Sequence, residues 1–102
     1  MATRTIWGNV NQNRMIDQGS GDFRVVEGTP TGDYTVMFDE NSFSDVPAVV
    51  VTVREPAGSA GHIATAEMLQ LDSTQFKIVI RSTATQDAYD KPFSFFAIGT
   101  SD

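Results

Sequence analysis

The stretch 33–53, DYTVMFDENSFSDVPAVVVTV, constrains the fold more than any other part of the chain. In its first half, Tyr34, Val36 and Phe38 alternate with more polar residues, a period of two that predicts a strand with one buried face. Its second half, AVVVTV at 48–53, follows a proline, which suits the first position of a strand. This second strand carries valines on both of its faces, so it needs two apolar covers.

One face of the 48–53 strand can fill the core of a small β domain, and we expect a second copy of the chain to cover the other. Burying one valine side chain contributes roughly 1.5–3 kcal/mol, so exposing several in a row is unfavourable. The last predicted strand, FSFFAIG at 93–99, is also apolar on both sides, with Phe96 and Ile98 on its second face.

Trp7, the single tryptophan, is either an anchor in the core or in an interface, or a residue that stacks on a ligand.

The rest of the chain also has the pattern of short strands separated by turns rich in Gly, Asn, Asp and Ser. The further predicted strands lie at 4–10, 14–16, 23–27 and 76–81. The segment HIATAEMLQL at 62–71 fits a helix or a strand, and a strand is favoured because all its neighbours are strands. About six to eight strands with closely spaced turns predict an all-β fold, an antiparallel β-sandwich. At 102 residues the chain is expected to form a single domain, 1–102.

Successive loops of an antiparallel sandwich alternate between its two ends. This alternation places loops 28–33, 54–61 and 82–91 at one end, and loops 40–46 and 72–75 at the other. The first three loops are longer and more varied, and recognition residues usually lie in such loops on a rigid scaffold. We therefore predict that a ligand binds at this end, which is called the long-loop end below.

Composition and charge limit the classes of partner. The chain has no cysteine, which removes disulfides and thiolate metal sites. Its net charge of −6 is a poor match for nucleic acid, whose binding depends on Lys and Arg at the phosphates. Neither a signal peptide nor an apolar run of membrane-spanning length is recognisable. We expect no nucleic-acid partner and no membrane insertion, and an extracellular or virion-associated role reached without a cleaved signal.

The sequence offers little for catalysis or for a metal ion. His62 is the only histidine, and neither G-x-S-x-G nor H-E-x-x-H accompanies it. Acidic residues occur singly in turns, where Asp commonly hydrogen-bonds to the local backbone. Asp87 and Asp90 share a loop, but the chain lacks the Asp-rich run of a calcium-binding loop. We predict no enzyme activity, no metal site and no cofactor.

Four motifs carry a resemblance to a known family. They are Y-x-V-x-F from Tyr34, F-S-x-x-P-x-V from Phe43, F-x-I-x-I from Phe76 and F-x-F-x-A-I-G from Phe93. Together they resemble H-type lectin domains and the small β-sandwich modules at the tips of bacterial and phage fibre proteins. The resemblance covers about residues 23–99. It implies an antiparallel sandwich of about six strands that assembles as a trimer, with sugar bound in clefts between protomers near one end.

The resemblance also indicates candidate binding residues. H-type lectins tend to have an arginine after the central strand and an aromatic residue in the loop before the last strand, and Arg54 and Tyr89 occupy these regions. His62, Asp87 and Asp90 would supply further polar groups at the long-loop end. The predicted function is therefore non-enzymatic binding of a cell-surface glycan, multivalent through homotrimerisation. The alternative is a structural trimerisation or receptor-binding tip module of a phage or bacterial appendage that has no small ligand of its own.

Overall fold

The computed structural model describes residues 2–54 and 63–102, and within these ranges it contains eight β-strands and no helix. The strands are β1 (Ala2–Val10), β2 (Ile16–Gly19), β3 (Phe23–Val25), β4 (Asp33–Phe38), β5 (Ala48–Val53), β6 (Ala64–Leu71), β7 (Gln75–Ser82) and β8 (Phe93–Ser101). They form two four-stranded antiparallel sheets, with strand orders β2-β1-β8-β5 and β3-β4-β7-β6. The predicted all-β, antiparallel architecture is confirmed.

The two sheets pack through a core that is rich in aromatic residues. Phe95 of β8 contacts Phe23 and Phe76 of the opposite sheet edge to face, with ring centroids 5.0 and 5.1 Å apart. Tyr34 of β4 packs against Phe93 of β8 in the same way at 5.1 Å. Edge-to-face pairs of this kind contribute about 0.5–1.5 kcal/mol beyond the area that they bury. The inward residues predicted from the alternation in β4 and β8 thus pack together in one core.

Gly8 allows the ring of Phe23 to lie directly on β1. A Cβ atom at this glycine would be 2.3 Å from Cζ of Phe23 and 3.0 Å from Cε1 of Phe95. No side chain fits in that space unless one of the rings moves. The position therefore couples β1 of one sheet to β3 of the other.

Segment 64–71 forms strand β6, so the preferred prediction is confirmed for the described residues and the helical alternative is wrong. Its Ala64 and Ala66 pack against the core. A bulge interrupts the pairing with β7 between Met68 and Gln70. Ala64, Met68 and Leu71, whose spacing also fits a helix, thus lie along one extended strand.

Several predicted strand boundaries differ from the observed ones, among them those of β2 and β3. The return strand after β1 begins at Ile16 rather than at position 14, because Arg14 has a left-handed backbone conformation with φ of 69° and belongs to the turn. Strand β3 ends at Val25 rather than at position 27. Beyond it, Val26 still donates its backbone N–H to the carbonyl of Thr35, so a single ladder contact continues.

The strand pairings separate the loops between two ends of the molecule, as the alternation predicts. The long-loop end holds segments 11–15, 26–32 and 83–92, together with the end of β5 and the start of β6. The opposite end holds segments 39–47 and 72–74. Of the predicted loop 54–61, only Arg54 lies within the described residues. Among these residues no helix is long and apolar enough to cross a membrane.

Candidate functional site

The four described residues of the predicted binding set all lie at the long-loop end, but in different environments. Arg54 directly follows β5, whereas Asp87, Tyr89 and Asp90 lie in the segment between β7 and β8. His62, the fifth predicted residue, lies outside the described residues. The contacts of each side chain show which of them hold the loops together and which face solvent.

Asp90 belongs to the framework of this end. Its Oδ1 accepts a hydrogen bond from the backbone N–H of Gly32 at 2.8 Å and one from Nη2 of Arg14 at 3.2 Å. Partial burial of the carboxyl group raises its pKa, but the hydrogen bonds from Gly32 and Arg14 and the charge of Arg14 outweigh burial and lower the pKa overall. The carboxylate thus remains ionised and tied to two neighbouring loops.

Arg14 is the centre of this framework, and the sequence reasoning missed it. Its Nε donates to Oγ1 of Thr29 at 2.7 Å, and its Nη2 donates to the backbone oxygens of Pro30 and Asp33 at 2.9 and 3.0 Å. Its guanidinium lies over the ring of Tyr34, with Cζ 4.4 Å from the ring centroid. The side chain is only 11% exposed. The single signal in the sequence is a basic residue in the polar turn NQNR, which by itself does not distinguish a clamp from a surface cation.

Tyr34 connects this framework to the core. Its hydroxyl donates to the backbone oxygen of Gln12 at 2.9 Å, while its ring packs against Phe93. Burial, and then the negative charge of Asp90, raise the pKa of Tyr34 to about 12. The hydroxyl therefore stays protonated and available as a donor. Its hydrogen bond to Gln12 holds the turn at 11–15 against the core at the long-loop end.

Arg54 turns towards backbone oxygens at the ends of the first sheet. Its backbone N–H donates to the oxygen of Pro92 at 2.8 Å, and its Nη2 donates to the oxygens of Val10 and Phe93 at 3.3 and 3.5 Å. Its Nε is buried and has no hydrogen-bond partner among the described groups. The guanidinium thus joins β1, β5 and β8 where these strands reach the long-loop end.

Asp87 and Tyr89 are exposed like Asp90, but it is the side chain of Asp90 that is hydrogen-bonded into the framework described above. The segment that carries them is anchored to β7, because Ser82 donates its N–H to the oxygen of Asp87 at 2.9 Å and Tyr89 donates its N–H to the oxygen of Ile80 at 3.0 Å. Asp87 is exposed, and Tyr89 is 38% exposed. The segment of the long-loop end that carries this carboxylate and this phenol ring is thus anchored to β7.

A second surface stands out on the outer side of the β2-β1-β8-β5 sheet. The register places Trp7, Phe96 and Val50 side by side in one row across three strands, and these side chains are 43%, 45% and 51% exposed. Ile98 and Ala48 form part of the next row. The outward residues of β1, β8 and β5 are Thr3, Thr5, Trp7, Asn9, Ser94, Phe96, Ile98, Thr100, Ala48, Val50 and Thr52. None of these described residues is ionisable, and we call the outer side of β1, β8 and β5 the uncharged face; the edge strand β2 carries the exposed Asp17 and is not part of it.

The opposite end of the molecule has an open cleft of about 400 Å³, lined in part by Met37, Phe43, Ser73 and Thr74. It contains none of the predicted site residues. Among residues 2–54 and 63–102, no group of three or more histidine, cysteine or acidic residues is arranged to hold a metal ion. The long-loop end and the uncharged face are therefore the two candidate surfaces for function.

Comparisons of the chain with protein-family models, with curated proteins and with solved structures give no match. The resemblance to H-type lectins therefore stays a prediction from the sequence motifs.

Proposed function

We propose that the protein is a non-enzymatic, multivalent carbohydrate-binding module whose ligand contacts the long-loop end. The observation that supports this proposal best is that Asp87 and Tyr89 are both exposed on a segment hydrogen-bonded to β7. A half-exposed phenol ring offers a flat apolar surface with a polar tip, and a carboxylate accepts hydrogen bonds from hydroxyl groups.

Two other predicted residues, Asp90 and Arg54, then have a different role from the one that the sequence indicated. Asp90 and Arg54 hold the loops through contacts to Arg14 and to backbone oxygens, and they prepare the surface rather than contact the ligand. A framework that is fixed before the ligand arrives lowers the entropic cost of binding. Among the described residues, the predicted contact set at this end is thereby reduced to Asp87 and Tyr89, and His62 stays a predicted contact outside them.

A site built from two side chains binds weakly, so useful affinity requires several sites in one assembly. Linked sites raise the overall affinity because the later binding events become intramolecular. Homotrimerisation, as the sequence motifs imply, would supply three such sites for a cell-surface glycan. The proposal therefore includes an oligomer as well as a ligand.

A glycan array probed with wild-type protein and with Asp87→Asn and Tyr89→Ala tests the ligand. Each variant should bind the glycan at least about tenfold more weakly than wild type. The substitution costs about 1 kcal/mol of binding free energy at each site, and these losses add over the linked sites of one assembly. Asp45→Asn is the matched control, since Asp45 is an exposed acid at the opposite end. Wild-type protein that binds no glycan, or a Tyr89→Ala variant that binds like wild type, would contradict the proposal.

The second candidate is a structural trimerisation or receptor-binding tip module without a small ligand of its own. The uncharged face favours it, because this surface is suited to assembly and needs no site at the loops. If the protein forms a well-defined oligomer but binds no glycan on the array, that result would support this candidate over carbohydrate binding.

A further inference from the structure

We infer that the open edge of β5 is a docking site, at which an extended segment of a different polypeptide adds one more strand to the β2-β1-β8-β5 sheet. β5 lies at the border of this sheet and is hydrogen-bonded to β8 on one side only. Such an edge takes a class of ligand, and uses a side of the sandwich, that the proposed function does not involve.

The backbone groups at the open edge follow from the pairing of β5 with β8. The N–H of Arg54 donates to the oxygen of Pro92, so position 54 bonds towards β8. Backbone groups of successive residues point to opposite sides of a strand, and every second residue of β5 therefore bonds to β8. The residues between them, Val49, Val51 and Val53, direct three N–H and three C=O groups outwards. Among residues 2–54 and 63–102, no other strand or loop is hydrogen-bonded to these groups.

β5 differs from the other three sheet edges, each of which has features that discourage the addition of a strand. β2 and β3 are only four and three residues long and carry Asp17 and Arg24. β6 carries Glu67, and a bulge interrupts its pairing with β7. β5 has six residues in regular register and no charge, and Pro47 removes a donor only ahead of the strand. Short length, charges and bulges protect natural sheet edges, so β5 is the described edge that lacks such protection.

The groups at this edge determine the chemistry of the occupant. A row of alternating N–H and C=O groups is matched by the backbone of another extended chain, as in other cases of strand addition. Val49, Val51 and Val53 are only partly buried against the core, and apolar residues at alternate positions of the added strand would cover them. The outward side chains of β5 carry no charge, so the paired stretch of the occupant needs none.

Charge favours a different polypeptide over a second copy of the chain at this edge. A contact only six residues long is sensitive to charge, and the net charge of −6 repels a copy and attracts basic groups. Two exposed acids border the strand, since Asp45 precedes it and Glu67 lies on β6, which approaches β5. The occupant is therefore an uncharged segment with alternating apolar residues and basic flanks. It adds antiparallel, as in every described strand pair of this protein.

Fluorescence anisotropy with a labelled peptide and the full chain tests the inference. The peptide KTVTVTVTK has valine at alternate positions and lysine at both ends, and it should bind saturably. Methylation of its valine amide nitrogens should abolish binding, because these N–H groups face β5 in an antiparallel pair whose valines cover the core. Methylation of the threonine amides between them, which face away from β5, is the matched control and should preserve binding.

Val51→Pro tests the same edge from the side of the protein. Proline removes the central outward N–H without removing a bond to β8, and an edge strand tolerates it there. Val51→Ala is the matched control, because it shortens the side chain but keeps the N–H. Val51→Pro should weaken peptide binding at least about tenfold, and Val51→Ala by less than about threefold. Urea unfolding followed by Trp7 fluorescence shows that both variants are folded, and the methylated peptides give a test on wild-type protein alone.

Four results would overturn the inference. The first is a lack of saturable binding of the peptide up to about 1 mM, and the second is equal binding of the two methylated peptides. The third is a folded Val51→Pro variant that binds the peptide like wild type. The fourth is a Val51→Pro variant that, without peptide, sediments at a lower mass than wild type, because a copy of the chain would then occupy the edge. None of these readouts needs a glycan, so a failure of carbohydrate binding on the array would leave them unaffected.

Discussion

Replacing Arg14 with methionine tests whether one buried cation organises the long-loop end. Methionine is unbranched at Cβ and Cγ like arginine, although its side chain is shorter, so the strain of the left-handed backbone is nearly the same in both proteins. The substitution removes the hydrogen bonds to Thr29, Pro30 and Asp33, the ion pair with Asp90 and the contact with the ring of Tyr34.

The expected loss of stability follows from these contacts. The two shortest hydrogen bonds, to Thr29 and Pro30, contribute about 1 kcal/mol each. The cation–π contact adds about 0.5–1 kcal/mol. The ion pair adds less than about 1 kcal/mol, because the Asp90 side chain is 38% exposed and solvent screens it. Arg14→Met should therefore lower the free energy of unfolding by about 3 kcal/mol, and the melting temperature by about 12–24 °C.

Urea unfolding followed by Trp7 fluorescence, at equal protein concentrations, measures this loss. Arg14→Lys is the matched control, because it keeps the charge but cannot reproduce the planar donor geometry, and it should lose about half as much. The pKa of Asp90 is lowered in the folded state, so its ion pair stabilises the protein above about pH 4 and is lost as the pH falls through the folded-state pKa. The difference between wild type and Arg14→Met should narrow on acidification. A difference below about 1 kcal/mol, or one that widens in acid, would refute a clamping role.

Three further predictions concern the core and the turns. Gly8→Ala should destabilise the protein by at least about 2 kcal/mol in urea, because the new methyl group would overlap the ring of Phe23. The Asp72 carboxyl should titrate by NMR with a pKa of about 2, because the hydroxyl and N–H of Thr74 donate to it, and Thr74→Ala should raise that pKa. Tyr34→Phe should cost about 1 kcal/mol in urea unfolding, because a backbone oxygen loses its donor.

Each of these predictions has a result that would contradict it. Gly28→Ala is the control for Gly8, because Gly28 has φ of 78° but no neighbouring atom within 4 Å of the place that a methyl group would occupy, and it should cost only about 1 kcal/mol. Equal losses in the two alanine variants would exclude the proposed overlap. An unchanged Asp72 pKa in Thr74→Ala would assign the shift to other donors. A Tyr34→Phe variant as stable as wild type would show that water replaces the lost donor.

The predicted strands and the separation of the loops hold where short-range patterns decide the structure. The alternation of Tyr34, Val36 and Phe38 has a period that only a strand can place on one face, and the structure buries all three. Alternation likewise identifies the apolar outer residues Phe96 and Ile98, and both are exposed on the single chain. The trimer that would cover them stays a prediction.

The roles within the loops could not be obtained in this way. Arg14 and Asp90 are separated by 76 positions, and Arg54 reaches the oxygen of Val10 across 44 positions. No local pattern indicates which acid will meet which base, because the strand order brings them together only after folding. Arg54 and Asp90 are predicted to bind a ligand from their residue type and their region of the chain. In the structure, both side chains instead contact other loops and strand ends.

By itself the sequence determined the extended conformation of the strands, the composition of the core and the alternation of loops between two ends, since each depends on side-chain period and turn residues a few positions apart. Only the tertiary structure decided that Arg14 is a clamp, that Asp87 and Tyr89 reach solvent, and that Trp7, Phe96 and Val50 form one continuous row. Those outcomes depend on sheet order and register, which are set by burial summed over the whole chain.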